Sequence, residues 1–378
     1  MHICFLTHEY PKQGFPHGGV GTFIKMLSKN LVSSGVEVSV VGINYSRDDE
    51  FENDYGVKVH RLAAKKVKGL TWYLNSSKVN RKLVEIHKAD PIDIVESTEL
   101  GLAFIKKIEG VKYLIRLHGG HHFFADAENK GINRWKSFQE KRSFAKADKI
   151  IGVSNYVLDH TAEYLDFKTK RGPAIYNPVD PDRFYQADQS KMKKGMILFV
   201  GTVCEKKGVR QLIQALPLIR KEIPEAHVVI AGRDWRFPDG SSYTEWVKQF
   251  ISEDVKENVT FTGPVNNEEI PGLIEEAEVC VYPSHMEAMP MAWLEVLAMG
   301  KALIGSKAGP GPEIINDGVT GLLCDPLNPE DIAEKTIRNL KNQEMGFTLG
   351  KAARQEVRKR FSIKKLVQQN ISFYQSLL

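Results

Sequence analysis

Short, nearly continuous apolar runs recur along the chain, and each is followed by a longer stretch in which apolar residues return at helical spacing. The runs at 2–7, 37–42, 93–96, 113–117, 149–153 and 174–176 predict strands of one sheet. Those at 196–200, 227–231, 260–262, 278–282, 302–305 and 321–323 predict strands of another. Helical stretches lie between them, for example 21–34, 134–146, 209–220 and 331–340. Unbroken apolar runs suit strands covered on both faces, so the alternation predicts an α/β protein with parallel sheets and helices on both sides. The strands exceed what one doubly wound sheet holds comfortably, and 378 residues suffice for two domains. A polar, proline-containing and basic stretch divides the series. The organisation expected is a first domain over 1–177, a linker or hinge over 178–195, a second domain over 196–361, and a terminal helix over 362–378 placed to cross back onto the first.

Composition narrows the class. Hydrophobic content of 42% and charged content of 26% are ordinary for a water-soluble globular chain, and no apolar run approaches the roughly 18 residues needed to cross a bilayer. The apolar opening, Ile3 to Leu6, is too short for a signal peptide and reads as a first strand. Cys4, Cys204, Cys280 and Cys324 are far apart in apolar surroundings, which predicts reduced core thiols in a cytoplasmic protein. Charge is uneven: residues 1–175 hold 27 Lys and Arg against 20 Asp and Glu, and the remainder 25 against 27. Clusters such as Lys65-Lys66-Val67-Lys68 and Lys106-Lys107 fit solvated helix faces, with an anionic membrane surface or an acidic acceptor as the alternative. No basic stripe interleaved with aromatics points to nucleic acid.

The most informative stretch runs from Tyr282 to Gly300. A buried strand ends at Tyr282, a loop carries Ser284 and Glu287, and Pro290 suits the first position of a helix that holds Glu295. A strand, loop and helix N-terminus make an anion site. Two carboxylates beside it suit hydroxyl groups better than phosphates, one for a ribose and one for a sugar, which points to a nucleotide-sugar enzyme.

Other loops at predicted strand ends carry chemistry of the same kind. Gly18-Gly19-Val20-Gly21 follows the first strand and suits close approach to a diphosphate. With Ile24 in place of the third glycine it is a poor dinucleotide fingerprint, and a tight turn is the plain alternative. Lys207, just before Gly208, is placed to neutralise a diphosphate leaving group, and a solvated basic turn is the alternative. His118 ends a strand and precedes Gly119-Gly120-His121-His122. The adjacent His121 and His122 tend to point apart and lack a ligand pattern, so a crevice residue bonding a sugar hydroxyl is favoured over a metal site. Glu313, after Gly309-Pro310-Gly311-Pro312, reads as a helix cap. Asp180-Pro181-Asp182 reads as a turn.

Taken in order, these elements resemble glycosyltransferase family 4. The matching positions are the glycines at 18–21, His118-Gly119, Gly152-Val153-Ser154, Asn177-Pro178-Val179-Asp180, Lys207-Gly208, Glu287 with Glu295, and Gly309 to Glu313 with Asp317-Gly318 and Gly321. The resemblance implies the GT-B fold: two Rossmann-like doubly wound domains facing each other across a cleft, most of the donor being held by the second. It implies that Glu295 binds the ribose, Glu287 orients the donor sugar, Lys207 contacts the diphosphate, His118 lies near the reacting sugar, and Gly19 lets backbone approach the diphosphate. Catalytic candidates are therefore His118, Glu287 and Lys207. Donor-binding candidates are Gly19, Thr202, Lys207, Glu287, Ala288, Met289, Pro290 and Glu295. Two departures stand out: Thr202 occupies a position that is often Arg, and Glu287-Ala288-Met289-Pro290 replaces the usual Glu-Gly-Phe-Gly.

The implied activity is retaining transfer of a hexose or hexosamine from a nucleoside-diphosphate sugar, foremost a UDP sugar, to a hydroxyl of a glycan or lipid-linked glycan. Such chemistry belongs to polysaccharide, lipopolysaccharide or glycoconjugate synthesis. No cofactor or metal is expected, since Lys207 and helix N-termini carry the charge. Closure about 177–195 is expected to exclude water. Acceptor contacts are expected on loops 10–17, 96–99 and 120–126, with Tyr10, Glu96 and His121 as candidates, and the basic first domain is expected to touch the inner face of a membrane peripherally. A nucleotide-sugar epimerase, or an inactive relative serving as a binding subunit, are the rival readings.

Overall fold

The computed structural model describes residues 1–15, 18–44, 47–127 and 131–378. The chain forms two compact units, one of Met1–Asn177 with Ile363–Leu378 and one of Pro178–Ser362. Pro16 and His17, the end of the first expected acceptor loop, lie outside the described residues.

The strands of the first unit are β1 (His2–Leu6), β2 (Glu37–Asn44), β3 (Glu50–Asp54), β4 (Val57–Ala63), β5 (Ile94–Ser97), β6 (Lys112–Leu117), β7 (Lys149–Gly152) and β8 (Arg171–Ala174). They form one sheet in the order β3-β4-β2-β1-β5-β6-β7-β8. Every pairing is parallel except β3 with β4. Its helices are α1 (Gly19–Ser33), α2 (Thr71–Ala89), α3 (His121–Ala127), α4 (Arg134–Lys146), α5 (Asn155–Ala162) and the terminal α13 (Ile363–Gln375). Ile3, Ile94, Leu114 and Ile115 have no exposed surface, as a sheet covered on both faces requires. β3 and β4 were not among the expected strands. β4, Val-Lys-Val-His-Arg, alternates buried and partly exposed positions, whereas β3 is a mostly exposed edge strand with only Asp54 buried, and the two are joined by a turn at Tyr55 and Gly56, both of positive φ.

The second unit holds β9 (Met196–Val200), β10 (His227–Ala231), β11 (Val259–Gly263), β12 (Val279–Tyr282), β13 (Leu303–Ser306) and β14 (Leu322–Cys324) in the fully parallel order β11-β10-β9-β12-β13-β14. Around it lie α6 (Val209–Glu222), α7 (Tyr243–Lys248), α8 (Ile270–Glu276), α9 (Met291–Ala298), α10 (Gly311–Ile314), α11 (Pro329–Leu340) and α12 (Gln343–Arg360). In each sheet the chain winds outward from a central strand and then returns to its other side. The switch points fall between β1 and β5 and between β9 and β12, and ligands of open α/β sheets bind beyond the carboxyl ends of such strands. All four cysteines are free and buried. Desolvation pushes the thiols of Cys4, Cys280 and Cys324 up to about 12.

Residues 178–195, expected as a linker, are instead bound to the second unit. The N–H of Val179 donates to the Phe361 carbonyl at 2.9 Å, that of Ala187 to Met299 at 3.0 Å, and that of Asp188 to a Glu275 carboxylate oxygen at 2.9 Å. Backbone bonds and the burial of Phe184 do this work, and neither leaves an apolar period in the sequence.

Glu96 also departs from expectation. It is the register partner of Phe5 on β1 and Leu114 on β6, and is almost wholly buried. It accepts from Arg116 Nε at 2.6 Å, from Arg116 Nη2 at 3.2 Å and from the Tyr374 hydroxyl at 2.7 Å, while Arg116 also donates to Asn370 at 2.5 Å. This carboxylate ties α13 to the sheet, with its bonds made inside the protein. Removing one partner of a buried ion pair strands the other. Glu96→Ala is therefore expected to lower the unfolding free energy by about 3–5 kcal/mol, and Tyr374→Phe by about 1 kcal/mol, both measured by denaturant titration.

Candidate functional site

The loops beyond the second switch point meet through a glycine. Gly208 caps the start of α6 with φ +72°, and a Cβ there would lie 1.9 Å from the Pro283 carbonyl oxygen in the loop after β12. The His285 N–H donates to the Lys206 carbonyl at 2.8 Å, fastening the same two loops again. Between these fastenings the Lys207 ammonium bonds the Glu287 carboxylate. Glu205 braces the loop from behind: it accepts from Tyr243 at 2.7 Å, Arg210 at 2.6 Å and Gln211 at 3.1 Å. Its burial opposes ionisation, yet those bonds hold its carboxyl below the usual range. Ala288, Met289 and Pro290 are buried, and Pro290 caps α9, which starts one residue later than its sequence position suggested.

Glu295 stands inside α9 with part of its surface open, although protein packs around its carboxyl group. Its side chain has no hydrogen-bond or ion-pair partner among the described residues. Desolvation raises its pKa to about 7, with Arg183 opposing the rise. A carboxyl group kept at this cost and bonded to nothing is suited to receive hydroxyl groups from a ligand.

Sequence reasoning missed Arg233. The chain beyond β10 continues alongside the chain beyond β9: the Val203 N–H donates to the Arg233 carbonyl at 2.9 Å and Trp235 N–H returns to Val203 at 3.2 Å. The exposed Arg233 side chain then reaches across, Nε donating to Thr202 Oγ1 at 3.4 Å. A guanidinium thus stands at Thr202, where the sequence lacks the expected Arg. The residue type and its place at a strand end were visible in the sequence, but the adjacency of the two loops was not.

In the first unit, His118 lies beyond β6, half-buried, its ring 4.9 Å from that of Phe23 and edge-on. Its N–H donates to Glu99 at 2.6 Å. Burial, helped by Arg116, lowers its pKa to about 3, so it is neutral at pH 7 and can exchange hydrogen bonds but not act as a cation. Gly19 opens α1 with free space where a Cβ would be, while the preceding Gly18 N–H is taken by Glu9 at 3.1 Å. Two acceptor candidates are otherwise engaged. Tyr10 is buried and donates to Asp54 at 3.0 Å. His121 accepts at Nε2 from the Asn133 N–H at 2.8 Å. His122 bonds the buried Glu140, whose other oxygen accepts from His121 N–H at 3.0 Å, so this histidine group supports a loop. Glu313 lies in the first turn of α10, whose N-cap position is Pro310. Asp180 makes the expected turn, accepting from Asp182 N–H at 3.0 Å.

Two doubly wound units, each with polar residues gathered at a switch point, have the architecture of GT-B glycosyltransferases. Superposition agrees: sucrose-phosphate synthase of Thermosynechococcus elongatus matches with a TM-score of 0.84 at 19% identity, over 100% of this chain and 98% of that one. Anabaena HepE, solved with UDP and glucose, matches with a TM-score of 0.78 at 18% identity over 100% of both chains. In sequence, the profile described as Glycosyltransferase Family 4 matches residues 17–183 and that described as Glycosyl transferases group 1 matches 182–356. An uncharacterized glycosyltransferase of Methanocaldococcus jannaschii is 26% identical over 97% of both chains. The chain belongs to glycosyltransferase family 4.

The state of Glu295 makes a stability prediction. Below the unfolded-state pKa near 4.5 the group is protonated in both states and contributes nothing. Between there and about 7 the folded protein holds the extra proton, so stability falls as pH rises and then levels off. Glu295→Gln lacks this loss. Its unfolding free energy should exceed that of the wild type by about 3 kcal/mol at pH 8 and converge with it towards pH 4, measured by denaturant titration across that range.

Proposed function

We propose that the chain is a retaining, metal-independent glycosyltransferase that moves a hexose or hexosamine from a UDP sugar to a hydroxyl of a glycan or lipid-linked glycan. The observation that carries this reading is the contact of Lys207 with Glu287 at a switch point, on loops whose next helix presents the unpaired carboxyl of Glu295. A cation, a sugar-orienting carboxylate and a ribose-accepting carboxylate suit the successive parts of a nucleotide sugar. Further support comes from HepE, which is solved with UDP and glucose.

In this reading Glu295 accepts the ribose hydroxyls. Lys207 and Arg233 flank the diphosphate, Arg233 supplying the charge that Thr202 cannot. Gly19 offers a further backbone approach. Glu287, with the chain through Ala288, Met289 and Pro290, orients the sugar. When the bond from the anomeric carbon to the phosphate oxygen breaks, negative charge grows on the diphosphate, and fixed cations stabilise that charge more than they stabilise the bound donor. The acceptor hydroxyl enters on the face the diphosphate leaves and passes its proton to a phosphate oxygen, which retains configuration. Neutral His118 serves as a hydrogen-bonding group to the sugar.

Binding and turnover measurements test the reading and its division of roles. Calorimetric titration with UDP, GDP and ADP, without added metal, is expected to show a preference for UDP; binding of none of them overturns the donor-site reading. Glu295→Ala should weaken UDP binding about 10- to 100-fold. Glu287→Ala should lower kcat while leaving UDP affinity within about threefold, and Lys207→Ala should lower kcat about 100- to 1,000-fold. Arg233→Ala should weaken UDP binding about tenfold, and adding Thr202→Arg to it should restore most of the loss, because the second substitution returns a guanidinium to the same place.

A further inference from the structure

We infer that the first unit carries a docking surface for an anionic phospholipid bilayer, built from an exposed aromatic cluster beside a run of unpaired lysines. At the start of α2, Trp72 and Tyr73 are 42% and 55% exposed; in the first turns of α4, Trp135 and Phe138 are 46% and 49% exposed. These rings are gathered into one patch. Trp72 lies 4.6 Å from Phe104 and 6.0 Å from Trp135 between centroids, and Trp135 stacks on Phe104 at 5.8 Å and on Phe138 at 5.6 Å.

The patch has a firm base. Asn80 on α2 donates to the Phe104 carbonyl at 3.0 Å and accepts from the Lys106 N–H at 2.8 Å. Arg142 on α4 donates to the Ala103 carbonyl at 2.7 Å. The loop entering α2 is folded back on the helix, Lys65 N–H donating to Asn75 at 2.8 Å and Val67 N–H to Thr71 at 3.1 Å. That loop leaves Val67 and Leu70 about half exposed. A monomer in water gains nothing by holding so much apolar surface together in the open.

Charge selects the occupant. Residues 64–84 contain six Lys and Arg and no Asp or Glu, and 100–108 and 131–139 contain two each and likewise no acid; of these cations Lys78, Lys82 and Lys107 pair with Asp49, Glu85 and Asp148 of other stretches. The ammonium groups of Lys65, Lys66 and Lys68 have no ion-pair partner among the described residues, nor do Arg134 and Lys141. Tryptophan and tyrosine favour the headgroup level of a bilayer, where a ring is half buried and its polar edge stays wet. Unpaired lysines and arginines add attraction to anionic lipid. No helix among the described residues is long and apolar enough to cross a membrane, so contact of this kind is interfacial.

Co-sedimentation of the full chain with vesicles tests this. With phosphatidylcholine–phosphatidylglycerol vesicles the protein should pellet, with pure phosphatidylcholine it should remain in the supernatant, and added salt should release it. Replacing Lys65, Lys66 and Lys68 with Gln should lower partitioning about 100-fold. The double variant Trp72→Ser, Trp135→Ser should lower it at least about tenfold, with melting temperature and UDP affinity unchanged to show that the fold and the donor site are intact. Failure to pellet with the anionic vesicles, equal binding to both compositions, or wild-type binding by the variants overturns the inference. So does a concentration-dependent dimer in sedimentation velocity, or a soluble oligosaccharide that binds the protein, if the tryptophan variant abolishes it; these assign the face to a second copy or to a sugar.

Discussion

The contact between Lys207 and Glu287 depends on one missing atom. Parallel strands β9 and β12 are neighbours, but the loops that leave them carry bulk, and side chains ordinarily hold such loops apart. At Gly208 the backbone turns left-handed with no Cβ to collide with the Pro283 carbonyl. Any other residue there meets a clash with backbone, which cannot swing aside as a flexible side chain can. The cation before this glycine and the carboxylate beyond Pro283 are thereby brought to one place by topology and close approach together.

Two carboxylates are handled in opposite ways, and the contrast separates scaffold from candidate site. Glu96 has Arg116 and Tyr374, its oxygens are satisfied, and it joins a terminal helix to a sheet. Glu295 has protein packed around its carboxyl group yet no hydrogen-bond or ion-pair partner among the described residues, and its pKa rises accordingly. A protein under selection for stability alone has no use for the second arrangement. Glu205 lies between these cases: it is two residues from Lys207, but three donors fix it and it braces the loop that carries Lys207.

Much of this architecture was legible in the sequence, because buried parallel strands write themselves as unbroken apolar runs and helices between them as a return of apolar residues every three or four positions. The pair Glu287 and Glu295 was legible for a related reason: a strand end, a proline and a helix start fix their setting within one short segment. What could not be read required knowing which distant segments touch. Glu96 occupied a strand end, where ligand contacts are common, and only the fold places Arg116 and Tyr374 against it. Tyr10 was likewise spoken for by Asp54, in an edge hairpin whose charged alternation hid it. Residues 178–195 lacked apolar periodicity and so resembled a linker, although backbone bonds fix them to the second unit.

In the proposed reading, Arg233 shows how a local departure in sequence can be compensated in space. Thr202 removes a positive charge from the turn after β9, and nothing within several residues restores it except the lysines already counted. The neighbouring strand in the sheet is β10, and the chain beyond it stays in register with the chain beyond β9 through the bonds of Val203 with Arg233 and Trp235. Register, not sequence proximity, therefore decides which side chain stands beside Thr202, and in this chain it is a guanidinium. A diphosphate senses where charge is, not which strand delivers it. Two loops held side by side by backbone bonds can exchange the bearer of that charge while keeping its location.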